Sequence, residues 1–306
     1  MQFHRLTDQA GVGGRALRLA RPAQSFAGPG DVRAARSPAI ARMLLAIAPG
    51  LLAIPLALCV NVVHADSQRV PTTGIDWVAL EGFSIARTET TIGQFRRFVE
   101  ATGLLTRAER LGGGQVYEAG WVTKPGWSWA SPYGQQYIAH DDEPAAHVTF
   151  DEAQAFCRWA GGQLPTDAQW RAAAYREQRN PAPVPFITGR VYPFPSGDSP
   201  AGAQCLDDCG ANAALRAVPH GAALTRGRGH ARTSQTPAGV NGLHDMGGNL
   251  WEWVDDPPGA GGNAERLTRG GSWWYGSDPM RAGHRQSKPG DTSVIYIGFR
   301  CARASR

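Results

Sequence analysis

The sequence predicts an α+β domain with little regular secondary structure, and three observations carry that expectation. Three segments start with a Thr-x-x-Gln/Glu capping box and carry an apolar stripe of helical period. The stretches between and after them are long, irregular and rich in Gly, Pro and Trp (38, 22 and 10 in the chain). The remaining apolar runs, such as Val294-Ile295-Tyr296-Ile297, are short enough for strands only. Helices and short strands that do not alternate regularly make an α+β arrangement, here with two or three helices and short antiparallel strands.

The elements follow in chain order. Residues 1–42 hold seven arginines and two aspartates, and 43–65 hold no charged residue. The apolar stretch 43–65 follows Arg42 and ends Val63-His64-Ala65 before Asp66, the layout of a secretory signal. Residues 1–42 are then a non-native extension ahead of a start near Met43, and 66–75 are a linker to a domain at 76–304. A membrane anchor is the rival, because about 20 apolar residues can span a bilayer; Pro49, Pro55 and the small residue at the cut favour cleavage. The expected location is periplasmic or secreted, with no stable span after cleavage. The net charge of +5 comes wholly from 1–42, since the rest balances at 24 basic and 24 acidic residues, so the basic pI is no argument for nucleic acid.

The first helix is TTIGQFRRFVEATG, capped by Thr91 with Gln94, striped by Ile92, Phe95, Phe98 and Val99, and stopped by Gly103. The second is TFDEAQAFCRWAGG, capped by Thr149 with Glu152 and burying Ala153, Phe156, Cys157 and Ala160. The third is LPTDAQWRAAAY, capped by Thr166 with Gln169. Four cysteines follow the signal (157, 205, 209 and 301), an even number that in an oxidising compartment favours two disulfides over free thiols. CLDDC (205–209) suits a local bridge; a metal site there would need more ligands than C-x₃-C supplies.

The segment GLHDMGGNLWEWVDD (242–256) sets Glu252 between Trp251 and Trp253 behind a Gly-rich turn, and a carboxylate placed there needs a partner. Together with ETTIGQFRRFVEATG, PGWSW (125–129), AAHVTFDEAQAFCRWAGGQLPTDAQWRAAAY, LTRGGSWW and IGFRCAR, in this order over residues 80–303, it resembles the sulfatase-modifying-factor family of formylglycine-generating enzymes. The resemblance implies an irregular C-type-lectin-like fold. It implies a structural calcium held by Asp245, Gly248, Leu250 and Glu252, which suits a cation that takes six to eight oxygen ligands; without calcium, Glu252 would accept from loop amides. Asn212 fits the first ligand of the family's other calcium site, but HGAALTRGRGHARTS (220–234) lacks the rest of it. The resemblance also pairs Cys157 with Cys301, a closure of more than 140 residues worth on the order of 3–5 kcal/mol.

In formylglycine-generating enzymes two cysteines shortly after a Gly-Gly-Ser hold the copper that oxidises a substrate cysteine. Here the segment Gly270–Arg281 has no cysteine; the first position falls on Tyr275 and the second near Met280 or in a short deletion, and a phenol and a thioether do not replace a thiolate pair for Cu(I). Six histidines follow the signal (140, 147, 220, 230, 244 and 284) without an H-x₃-H or H-E-x-x-H pattern for iron or another metal. The resemblance is thus to a cysteine-less branch similar to periplasmic pyoverdine-maturation proteins. It implies a groove lined by Trp251, Trp274, Arg281 and Arg285, with Ser272, Tyr275 and His284 as candidate catalytic residues. Two functions fit: oxidative maturation of a peptide-like substrate, or calcium-stabilised binding of a peptide or envelope glycan without catalysis.

Overall fold

The computed structural model describes residues 72–219, 224, 228–256 and 265–305. The expected extension (1–42), signal segment (43–65), His220 and the linker up to residue 71 lie outside the described residues. No helix among the described residues is long and apolar enough to cross a membrane.

The chain opens with β1 (Trp77–Leu80) and β2 (Phe83–Ala86), an antiparallel pair. Helix α1 (Ile92–Thr102) starts at a complete Thr91/Gln94 capping box and stops at Gly103, whose φ of 68° is left-handed and suits a residue without Cβ. A four-residue helix α2 (Arg107–Arg110) follows, with its own capping box from Thr106 and Glu109. The sequence carries that signature too, but a single turn has no apolar stripe to draw attention to it. Strands β3 (Gly113–Tyr117) and β4 (Trp121–Pro125) form a hairpin.

Helices α3 (Phe150–Trp159) and α4 (Asp167–Tyr175) begin at the expected boxes, Thr149/Glu152 and Thr166/Gln169. The short α5 (Ala213–Arg216) precedes β5 (Trp251–Val254), β6 (Glu265–Arg269), β7 (Gln286–Pro289), β8 (Ile297–Gly298) and β9 (Ala302–Ala304). The expected irregular α+β fold is what forms. Nearly all strand pairs are antiparallel; β8 alone lies parallel to β5 among the paired strands described.

Aromatic residues build the core. Phe95, Phe156 and Phe299 bring α1, α3 and the segment after β8 together, with centroids 5.4–6.2 Å apart. All three are fully buried, and each such side chain contributes roughly 1.5–3 kcal/mol. A disulfide joins Cys157 of α3 to Cys301, 144 residues later, and fastens the C-terminal strand to this core. The second disulfide, Cys205–Cys209, closes the CLDDC loop.

The sheet that positions the candidate site runs β7-β6-β5-β8. Its register pairs Glu252 with Arg269, Trp253 with Thr268, Thr268 with Gln286 and Arg266 with Lys288. Because side chains alternate along a strand, Trp253, Thr268, Gln286 and Lys288 share one face, and Glu252 and Arg269 share the other.

Candidate functional site

The Gly-rich loop ahead of β5 is built for close backbone approach. Gly248 has φ +81°, and a Cβ there would lie 2.4 Å from the Gln204 carbonyl oxygen. Asp245 and Asn249 also take positive φ (60° and 50°), a conformation that Asx residues tolerate. Asn249 accepts from Ala231 N–H at 2.8 Å and donates to Glu89 at 2.6 Å, while Glu89 also accepts from Leu250 N–H at 2.9 Å.

The partner that makes Glu252 tolerable between two tryptophans is Arg300, in the IGFRCAR segment. Arg300 donates Nε and one Nη to the two Glu252 oxygens at 2.8 and 2.7 Å. Its other donors reach the carbonyls of Ala86, Arg87 and His244 at 3.1, 3.2 and 2.8 Å, so all five guanidinium N–H groups are used. Trp170 Nε1 adds a third bond to Glu252 at 2.7 Å. The expectation that loop amides would satisfy Glu252 is therefore corrected: the acceptor capacity goes to a guanidinium and an indole.

Asp245 accepts from Thr236 Oγ1 at 2.6 Å and from Ser234 N–H at 3.2 Å. Burial raises its pKa, and burial together with repulsion from Asp245 and Glu252 raises that of Glu89 well above the ordinary range. Asn212 is exposed at the start of α5; its carbonyl accepts from Leu215 and Arg216, and its side chain makes no cap.

The expected groove residues separate into two sets. Ser272, Trp251 and Trp274 are buried at 1–2 % exposure and so do not line an open surface. Each is covered for a reason. Trp274 stacks on Tyr296 at 5.7 Å, Ser272 Oγ accepts from Trp274 N–H at 3.4 Å, and Trp251 lies under Tyr275 (5.9 Å) and His284 (5.8 Å). Tyr275 is half-buried, and His284, Arg281 and Arg285 are exposed. Arg281 turns away from Trp251, with its guanidinium 4.5 Å over Phe194 and 3.4 Å from Asp278. The structure thus brings Trp251, Tyr275 and His284 together, and places Arg281 elsewhere.

A residue absent from the sequence expectations joins them. Lys288 of β7 sets its ammonium 4.9 Å from the Trp251 ring. Nothing in QSKPG marks it, because Lys before Pro reads as an exposed turn; only the β6–β7 register brings it to Trp251. Burial pushes its pKa down to about 8. Burial first, then the positive charge of Arg269, lowers that of His284, which favours a neutral imidazole able to accept a proton.

The CLDDC loop fixes the segment that carries Tyr275. Leu206 N–H donates to the Tyr275 carbonyl at 2.9 Å, and Asp208 accepts from Ser277 N–H and Oγ at 2.8 and 2.6 Å. Met280 Sδ lies 3.8 Å from Cys209 Sγ and is fully buried. Cys205, Asp208 and Cys209 are the only three His, Cys, Asp or Glu side chains among the described residues with ligand atoms all within 4.8 Å of one another, and both sulfurs are spent in the disulfide. Copper held by thiolates does not fit these residues: all four cysteines of the described chain are disulfide-bonded, and none stands in 270–288.

The chain is similar to the formylglycine-generating enzyme of Streptomyces coelicolor, with 31 % identity over 271 residues, 75 % of this chain and 81 % of that protein. It is 30 % identical over 264 residues to the hercynine oxygenase of Mycolicibacterium thermoresistibile, covering 78 % of this chain and 53 % of that one. The solved structure of PvdO from Pseudomonas aeruginosa superposes with a TM-score of 0.49 at 21 % identity, over 73 % of this chain and 80 % of that one. A family model, the sulfatase-modifying factor enzyme 1-like domain, matches residues 47–305, and the chain belongs to that family.

Proposed function

We propose that this chain binds a peptide-like substrate over residues 272–288 and takes part in its oxidative maturation without a copper–thiolate pair. The observation that carries the proposal is the grouping of Tyr275, His284 and Lys288 around Trp251, on the segment that holds the thiolate pair in the family. The relatives named formylglycine-generating enzyme and hercynine oxygenase support an oxidative role. What this chain supplies is binding and proton transfer. The half-buried ring of Tyr275, packed on the buried Trp251, holds the substrate, and the neutral His284 takes a proton from it. The two electrons pass to dioxygen as the external oxidant, which is reduced to hydrogen peroxide or, where one oxygen enters the product, supplies it with an external reductant taking the other to water.

The test is comparative mass spectrometry of peptide-like products from cells with and without this gene. Loss of the gene is expected to accumulate a precursor two hydrogens heavier than, or one oxygen lighter than, the mature product, and His284→Ala is expected to fail to restore maturation. Identical product profiles would refute it. A second reading is a binding module without catalysis, favoured by the commitment of all four described cysteines to disulfides. It predicts ligand capture with no mass change in the ligand.

We further propose a structural calcium at the 245–252 loop, held by the Asp245 and Glu252 carboxylates and the carbonyls of Gly248 and Leu250. Three buried carboxylates, Glu89, Asp245 and Glu252, stand around one guanidinium, and a divalent cation would offset that excess. Glu252 Oε1 and both Asp245 oxygens each accept one hydrogen bond among the described residues, which leaves acceptor capacity. Bound calcium would close the loop and neutralise it. Expected is a chelator-sensitive melting temperature in the native chain and none in Asp245→Ala; no response to chelator in the native chain refutes the calcium. Envelope localisation remains part of the same proposal, and N-terminal sequencing of the mature chain from a periplasmic extract tests it.

A further inference from the structure

Three sulfur atoms meet beneath the CLDDC loop. Met280 Sδ lies 3.8 Å from Cys209 Sγ, which is bonded to Cys205 Sγ. Phe194 and Ala203 join them in a small apolar cluster separate from the main core. Cys205 and Cys209 are 1 % exposed, and Met280 is fully buried. The other bridge has no such company: Cys157 and Cys301 lie in an aromatic cluster that contains no methionine among its described residues.

The C-x₃-C spacing alone is short of ligands for a metal, and the fold supplies the third from 71 residues away. Contacts that do not involve the S–S bond hold Met280 there. Its N–H donates to the Ser277 carbonyl at 2.9 Å, and its carbonyl accepts from Tyr175 Oη at 2.8 Å. Asp208 of the loop in turn accepts from Ser277 N–H and Oγ. The loop residues Leu206, Asp207 and Asp208 are half-buried or exposed, so one short loop separates the sulfurs from water.

The misfit of copper described above belongs to the disulfide form, because the thiolate is the metal ligand. A dithiol reductant changes that. Two electrons and two protons pass from it to the Cys205–Cys209 bond, the reductant closes to its own disulfide, and two cysteine thiols remain. An ion that binds both sulfurs displaces the two thiol protons to solvent. Two thiolates and a thioether in an apolar surround are soft donors. Zinc sites are built from thiolate, imidazole and carboxylate, so the thioether selects Cu(I). Two thiolates on Cu(I) leave one negative charge, and Arg281 holds its guanidinium 4.5 Å over Phe194 of the same cluster, where it offsets that charge.

We propose that the reduced chain binds one Cu(I) through Cys205, Cys209 and Met280. The inference goes beyond the function proposed above, which concerns the disulfide-bonded chain and does not use this site.

The test uses the full chain in three forms: native, the double variant Cys205→Ser, Cys209→Ser, and Met280→Leu. Each is reduced with dithiothreitol, freed of it under nitrogen, and offered Cu(I) as the coloured bicinchoninate complex, whose absorbance falls as the protein takes the ion. The reduced native chain is expected to take one equivalent more than the double variant, and the unreduced native chain none. Met280→Leu, a substitution of like volume, is expected to weaken binding about tenfold or more. X-ray absorption is expected to find three sulfur neighbours of copper in the native chain and two in Met280→Leu. Equal uptake by the reduced native chain and the double variant overturns the site, since any copper then sits on other residues. Two sulfur neighbours in both the native chain and Met280→Leu, with equal affinity, overturn it as well, and this comparison stands even where the double variant fails to fold.

Discussion

The two faces of the β7-β6-β5-β8 sheet treat charge in opposite ways. On one face Glu252 and Arg269 each have a partner of opposite charge. Glu252 meets Arg300 and Trp170, and Arg269 meets Asp167 and the carbonyls of Ala282 and His284. On the other face Lys288 has only the neutral amide oxygen of Gln286 and the Trp251 ring, and the buried Trp251 indole N–H has no acceptor. One chain, one sheet and the same strands produce both. A sequence able to satisfy five donors of one guanidinium is not short of means to pair an ammonium. The proposed site lies on the second face, and the paired face is where the fold is held.

That contrast is most strongly tested on the paired face. Glu252→Gln leaves Arg300 buried without its counter-charge, and an expected loss of about 3–5 kcal/mol follows, read as a lower urea midpoint. A loss below about 1 kcal/mol would mean the face is not the structural one. Next in size is the double variant Cys157→Ala, Cys301→Ala, which removes the longest covalent tie; about 2–5 kcal/mol of stability should go with it. Purified protein that melts unchanged under reducing conditions would contradict this.

The unpaired face should respond with the opposite sign. Lys288→Met removes a half-buried charge without a counter-ion, so thermal stability at pH 7 is expected to rise by about 1 kcal/mol after discounting for solvent screening. The pH dependence follows from the direction of the shift. The folded chain gives up the Lys288 proton near 8 and the unfolded chain near 10.5, so between those values the unfolded chain binds more protons. Stability from this group therefore rises with pH across that window, and the rise is absent from Lys288→Met. The smallest effects separate the two tryptophans. Trp253→Phe forfeits the bond to Val148 and should cost about 1 kcal/mol, with no change in ligand binding. Trp251→Phe loses no such bond, so most of its effect should appear as weaker ligand binding, measured by titration.

Local features of this architecture were legible in the sequence, and pairings across the fold were not. Helices α1, α3 and α4 were readable because a capping box and an apolar stripe lie within a few consecutive residues. Family motifs carried the Cys157–Cys301 pairing and drew attention to the segment after Gly270-Gly271-Ser272. The partner of Glu252 was out of reach, since Arg300 is 48 residues away and arrives through the parallel β5–β8 pairing. Burial was misjudged for the same reason: Ser272, Trp251 and Trp274 read as groove walls until Tyr275, His284 and Tyr296 cover them. Lys288 gave no local signal at all. Its character comes from the sheet register and the ring beneath it, neither of which is written in neighbouring residues.

The most direct test of the contrast is to measure thermal stability and product maturation together for Lys288→Met. A protein that melts higher than the native chain and no longer supports maturation is the expected result, because the same unpaired charge costs stability and serves the ligand. A variant that melts lower, or that supports maturation at the native level, would contradict the account.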